Sequence, residues 1–115
     1  MRHLILTLLF AISATLICSA EPAAADSLSG KKVESEQEVT KLFPGYSLHG
    51  VIGDRSDSKW PATIHSIQAF KDGAIFEVKG YGRHEYPRKD NTGKSFQIII
   101  LDTPNGKQTA IILIR

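Results

Sequence analysis

Ser95-Phe96-Gln97-Ile98-Ile99-Ile100-Leu101-Asp102, then Thr103-Pro104-Asn105-Gly106, then Lys107-Gln108-Thr109-Ala110-Ile111-Ile112-Leu113-Ile114: the fold turns on how this stretch is read. Asn-Gly between two β-branched runs is the strongest short-range signal for a β-hairpin. Ile98–Leu101 and Ala110–Ile114 are apolar without alternation. A strand wet on one side would alternate. The hairpin is therefore either central, with both faces covered, or an edge that pairs with another chain.

Upstream, the pattern is that of half-buried strands. Ala74, Phe76 and Val78 alternate with Ile75, Glu77 and Lys79, and Lys71-Asp72-Gly73 supplies the turn before them. Trp60–Phe70 reads as another strand, with Pro61 confined to its start, where a missing amide is tolerated. Trp60 is expected to plug the core. Tyr46–Ile52 reads as a strand that ends in the turn-rich stretch 53–58.

A helix precedes these strands. Ser35-Glu36-Gln37-Glu38 matches a capping box, and its acids suit the positive end of a helix dipole. Val39, Leu42 and Phe43 form one apolar stripe, and Pro44-Gly45 ends it. At about two turns the helix depends on packing. Residues 26–33 are polar and read as a flexible leader. The expected fold is α+β, a single domain over residues 34–115. It has one short N-terminal helix followed by a roughly five-stranded, mostly antiparallel sheet in meander order, open to curling toward a barrel.

The first 25 residues have a different character. Met1-Arg2-His3 is a short positive start, Leu4 to Ile17 is apolar apart from Thr7, Ser13 and Thr15, and Ser19-Ala20 and Ala23-Ala24-Ala25 supply small residues. These are the three parts of a secretory signal peptide, and the apolar run is shorter than the roughly 20 residues of a membrane span. The expectation is cleavage before Glu21 or before Asp26, and a secreted or periplasmic product. The one cysteine, Cys18, would leave with the signal. Small exported domains usually lean on disulfides, so burial alone must hold this one, which suits a bacterial envelope or medium.

Charge narrows the function little. A net +2 and a pI near 8.8 carry no strong nucleic-acid signal. No G-x-S-x-G elbow occurs, and adjacent His65 and Ser66 on one strand point to opposite faces. A small hydrolase would have to bring His49, His65 or His84 together with an acid through the fold. No short zinc-ligand spacing occurs, so no metal and no cofactor are expected. Gly93-Lys94-Ser95 echoes a P-loop, but Arg88 stands where its first glycine belongs.

Lys79–Lys94 is the segment with functional character. Lys79, Arg83, Arg88, Lys89 and Lys94 outnumber Glu85 and Asp90, with Tyr81 and Tyr86 among them. Cations near aromatic rings hold anionic or aromatic partners, and long irregular loops are often functional. The expected binding residues are Tyr81, Arg83, His84, Tyr86, Arg88 and Lys89. They belong to a non-enzymatic exported module for a protein or an anionic envelope polymer. Self-association through the Ile-rich C-terminal hairpin is the structural alternative.

Overall fold

The computed structural model describes residues 28–115. The expected signal peptide lies outside the described residues. Strands β1 (Lys32–Val33), β2 (Ser47–Ile52), β3 (Ala62–Lys71), β6 (Ser95–Asp102) and β7 (Gln108–Ile114) form one antiparallel sheet. Strands β4 (Ala74–Val78) and β5 (Gly82–Tyr86) form a separate two-stranded sheet. Helix α1 spans Glu36–Lys41.

The apolar C-terminal hairpin is central. The strand order is β1-β3-β6-β7-β2, so β6 and β7 each have a neighbour on both sides. The edge alternative does not describe this sheet. The meander expectation fails as well, because β4 and β5 leave the sheet and β2 crosses to its far side. Ile99, Leu101, Ile111 and Leu113 face one layer, where Val39 of α1, Val33, Ala62 and Ile64 complete a buried cluster. Phe96, Ile98, Ile100, Ala110 and Ile112 face the other, where Ala74, Phe76 and Val78 of β4 cover them. Full burial of a Leu or Ile side chain stabilises by about 1.5–3 kcal/mol, so the two-sided strands dominate the core.

The turn joining β6 to β7 is not a two-residue loop. The Gly106 amide donates to the Thr103 carbonyl at 3.1 Å, and Gly106 alone in that turn has positive φ, at +87°. That is a type I turn, with Pro104 at its favoured position, followed by a left-handed residue.

Two bulges set which residues face which layer. Register slips between Ile64 and Ser66 on β3 and between Leu48 and Gly50 on β2, leaving His65 and His49 as the extra residues. An inserted residue inverts facing beyond it. Ile64 and Ile67, three apart, thus both pack on the α1 side, while Phe70 packs on the other.

The helix starts as the sequence implies. The Glu38 amide donates to Ser35 Oγ at 3.1 Å. The Glu38 carboxylate accepts from the Glu34 amide at 2.6 Å, one residue before the cap. The expected leader is docked from Leu28 onward. Gly30 donates to the Ile64 carbonyl at 2.8 Å, and Val33 is fully buried in β1. Lys59 is only 2% exposed, with its Nζ 3.0 Å from Glu36 Oε2 and 5.3 Å from the Trp60 ring centre. This pair ties α1 to the 3-10 turn Asp57–Lys59, and Trp60 is half-buried against the first core.

Candidate functional site

Segment 79–94 is not one long loop. Its middle is β5, paired residue by residue with β4 from Val78↔Gly82 to Ala74↔Tyr86. Alternation along β5 then separates the six expected binding residues. Arg83 points outward, 2.8 Å from Glu85, and lies across from Glu77. His84 points inward and stacks on Phe76 with ring centroids 5.8 Å apart, its Nε2 buried without a hydrogen-bond partner among the described residues. Tyr86 also points inward, 5.5 Å from Phe96 and 5.6 Å from His49 by ring centroids. Burial pushes its phenol above the ordinary value of 10. Tyr86 is thus part of the second core and not a surface anchor. Tyr81 sits in the β4–β5 turn under Lys107 Nζ, 5.7 Å from its ring centre. Arg88 and Lys89 lie past the other end of β5, roughly 20 Å from Tyr81 at about 3.3 Å per residue.

The charges that do gather are at that second end. Lys71 closes β3 and pairs with Ser95, which exchanges two backbone hydrogen bonds with Arg115, at 3.0 and 2.9 Å. Asp72 donates its amide to the Lys94 carbonyl at 2.8 Å. Its carboxylate accepts from the Gly93 amide at 2.6 Å and stands 3.9 Å from the Arg88 guanidinium. Arg115 lies over the Tyr46 ring at 4.6 Å. Five fixed cations (Lys71, Arg88, Lys89, Lys94 and Arg115) therefore share one end of the sheet with Asp72 and Asp90. Lys71, Lys89 and Lys94 are exposed, and the Arg88 side chain is 82% exposed.

Glycine makes this end possible. Gly73 has φ +148°, and a Cβ there would lie 2.7 Å from the Tyr86 carbonyl oxygen and 3.2 Å from Arg88 Cα. Only a residue without a side chain lets the β3–β4 turn lie against segment 86–88. Between them runs a groove of about 340 Å³, lined by Phe70, Lys71, Gly73, Ala74, Ile75, Glu85, Tyr86, Pro87 and Arg88. Sequence reasoning found Arg88 and missed Phe70 and Lys71 of β3 and Ile75 of β4, which lie outside segment 79–94. The signal for Lys71 was its place beside the Asp72-Gly73 turn.

His49, His65 and His84 do not gather around one carboxylate. His65 Nδ1 is 3.0 Å from Asp102 Oδ2, while Gln108 donates to the other carboxylate oxygen at 3.1 Å. Both His65 and Asp102 are about half exposed. His49 packs on the second core and His84 under the β4–β5 hairpin, so two imidazoles do not converge on this carboxylate. Among the described residues, no three His, Cys, Asp or Glu side chains come together as a metal ion would need. No helix among them is long and apolar enough to cross a membrane. Comparison with known proteins finds no matching family model, no matching curated protein and no matching solved structure.

Proposed function

We propose that this chain is an exported, non-enzymatic binding module that engages an anionic macromolecular partner through the basic end of its sheet. One observation carries the reading: two exposed cations from separate segments, Lys71 and Arg88, line an open groove at an end of the sheet that also carries Lys89 and Lys94. Opposite charges steer association and set its specificity. Export rests on the three-part pattern of residues 1–25. N-terminal sequencing of the protein from its host should begin at Glu21 or Asp26, and intact Met1 in the cytoplasm would end that part.

Binding is tested by titrating the purified protein with polyglutamate and with polyphosphate at low and moderate salt. Affinity should fall as salt rises, because screening shortens to about 8 Å at physiological ionic strength. Replacing Lys71, Arg88 and Lys89 together with alanine should weaken binding by about tenfold or more. The thermal midpoint should barely move, since exposed charges contribute little to folding. Lys107→Ala, at the opposite end beside Tyr81, should leave binding unchanged. A triple variant that binds as tightly as the parent overturns the proposal.

A further inference from the structure

We infer that the groove takes an acidic segment of a partner protein that carries one apolar side chain, and not a bare polyanion. This rests on the anion-binding reading above and adds the chemistry of the ligand. The cations are only the rim. The groove's wall and floor include Phe70, Ile75, Tyr86 and Pro87, and Ile75 keeps 45% of its surface exposed. An apolar centre ringed by polar groups is the anatomy of a protein-recognition hot spot, where the rim excludes water from the anchor.

A hydrated phosphate or sugar polymer would meet the cations and leave that apolar surface wet. At about 340 Å³ the groove is at the small end of ligand-pocket sizes, with room for a side chain or two rather than a large small molecule. The acids nearby do not oppose an anionic ligand strongly. Glu85 on the wall is paired with Arg83 at 2.8 Å, and Asp72 is occupied by the Gly93 amide at 2.6 Å, with Arg88 at 3.9 Å. Lys71, and Arg88 with its side chain 82% exposed beside Asp72, therefore stand on the rim where they meet a ligand's carboxylates, and the apolar floor selects what those carboxylates flank.

Three probes decide the matter: a short Asp/Glu peptide with one central phenylalanine, the same peptide with serine there, and inorganic polyphosphate. The phenylalanine peptide should bind about tenfold more tightly than the serine peptide, the return expected for burying part of one aromatic ring. Ile75→Thr keeps the β-branch and removes apolar surface. It should erase most of that tenfold difference while leaving the serine peptide and polyphosphate unchanged. Should Ile75→Thr perturb the circular dichroism spectrum, the two peptides compared on the parent protein still decide. Equal affinity for them, or polyphosphate binding more tightly than the phenylalanine peptide, overturns the inference while the anion-binding reading stands. Failure of all three probes to bind overturns both.

Discussion

Both β6–β7 and β4–β5 are antiparallel hairpins, yet they are built to opposite rules. In β6 and β7 nearly every residue between Phe96 and Leu113 on the strands is buried, on both faces. In β4 burial alternates strictly, with Ala74, Phe76 and Val78 inside and Ile75 and Glu77 outside. The first hairpin has paired neighbours on both edges. The second touches the sheet with one face and keeps the other, with its charges, in water. Two-sided burial leaves no surface for recognition, and one-sided burial leaves a whole face. Under the binding role proposed above, stability and partner contact fall to different parts of the molecule, so a change in one need not disturb the other.

Substitution along the two hairpins tests that division, beginning where the effect is largest. Ile112→Ala, in the middle of β7, should lower unfolding free energy by about 2–5 kcal/mol, as for a buried isoleucine. A denaturant midpoint unchanged by it would mean the central hairpin is not the core. Val78→Ala, on the inner face of β4, removes two methyl groups and should cost about 1.6 kcal/mol plus a small cavity term. A loss as large as that of Ile112→Ala would show both hairpins to be equally structural. Ile75→Thr, three residues away on the outer face, should change stability by no more than about 0.5 kcal/mol. Arg83→Ala should be as quiet: its pair with Glu85 is about 60% exposed on both sides, where such pairs contribute about 0–1 kcal/mol.

The smallest effect concerns how the central turn is held. Asp54 accepts from Ser56 Oγ at 2.6 Å, from the Ser56 amide at 2.8 Å and from Asn105 Nδ2 at 3.0 Å. These bonds hold its carboxyl below the ordinary value of 3.8, the Ser56 hydroxyl most of all. A depressed carboxyl favours the folded state above pH 3.8, and that contribution fades as pH falls through the lowered value. An NMR titration should therefore find Asp54 titrating below free aspartate. Ser56→Ala should raise its midpoint more than Asn105→Ala does, and the reverse order would reassign the cause.

The same contrast explains what could be read from the sequence. The central hairpin announced itself through Asn105-Gly106 and unbroken apolar runs, and α1 through Ser35 and Glu38. Both signals are local. Strand β5 was hidden because its inward residues are His84 and Tyr86, polar side chains that find their place only against Phe76 and Phe96. The strand order was hidden because nothing near Tyr46–Ile52 says that β7, some 60 residues later, is its partner. The bulge at His65 was hidden as well: Ile64 and Ile67 face one layer because of it, yet Ile67 and Phe70, equally spaced, face opposite layers by regular alternation, so the spacing alone does not mark it. Lys59 gave no warning, for lysine is almost never fully buried unless paired, and its partner Glu36 lies on α1, 23 residues earlier. At the candidate site the cations of 79–94 were legible as composition. Their division among an outer face, an inner face and two ends needed β5.

The strand order also dictates when this molecule is able to fold. β2 pairs only with β7, β3 waits for β6, and β4–β5 has nothing to lie on until both are present. The two centre strands are the last of the seven along the chain. A nascent chain that has not yet released residue 95 can form only the two-residue pairing of β1 with β3 and the local β4–β5 hairpin, and the latter lacks the layer it packs against. Contacts so distant in sequence slow closure, because loop entropy must be overcome before they form. Late arrival of the centre therefore acts as a timer. It keeps the five-stranded sheet unformed until residues 95–114 are available, which would suit the export proposed above.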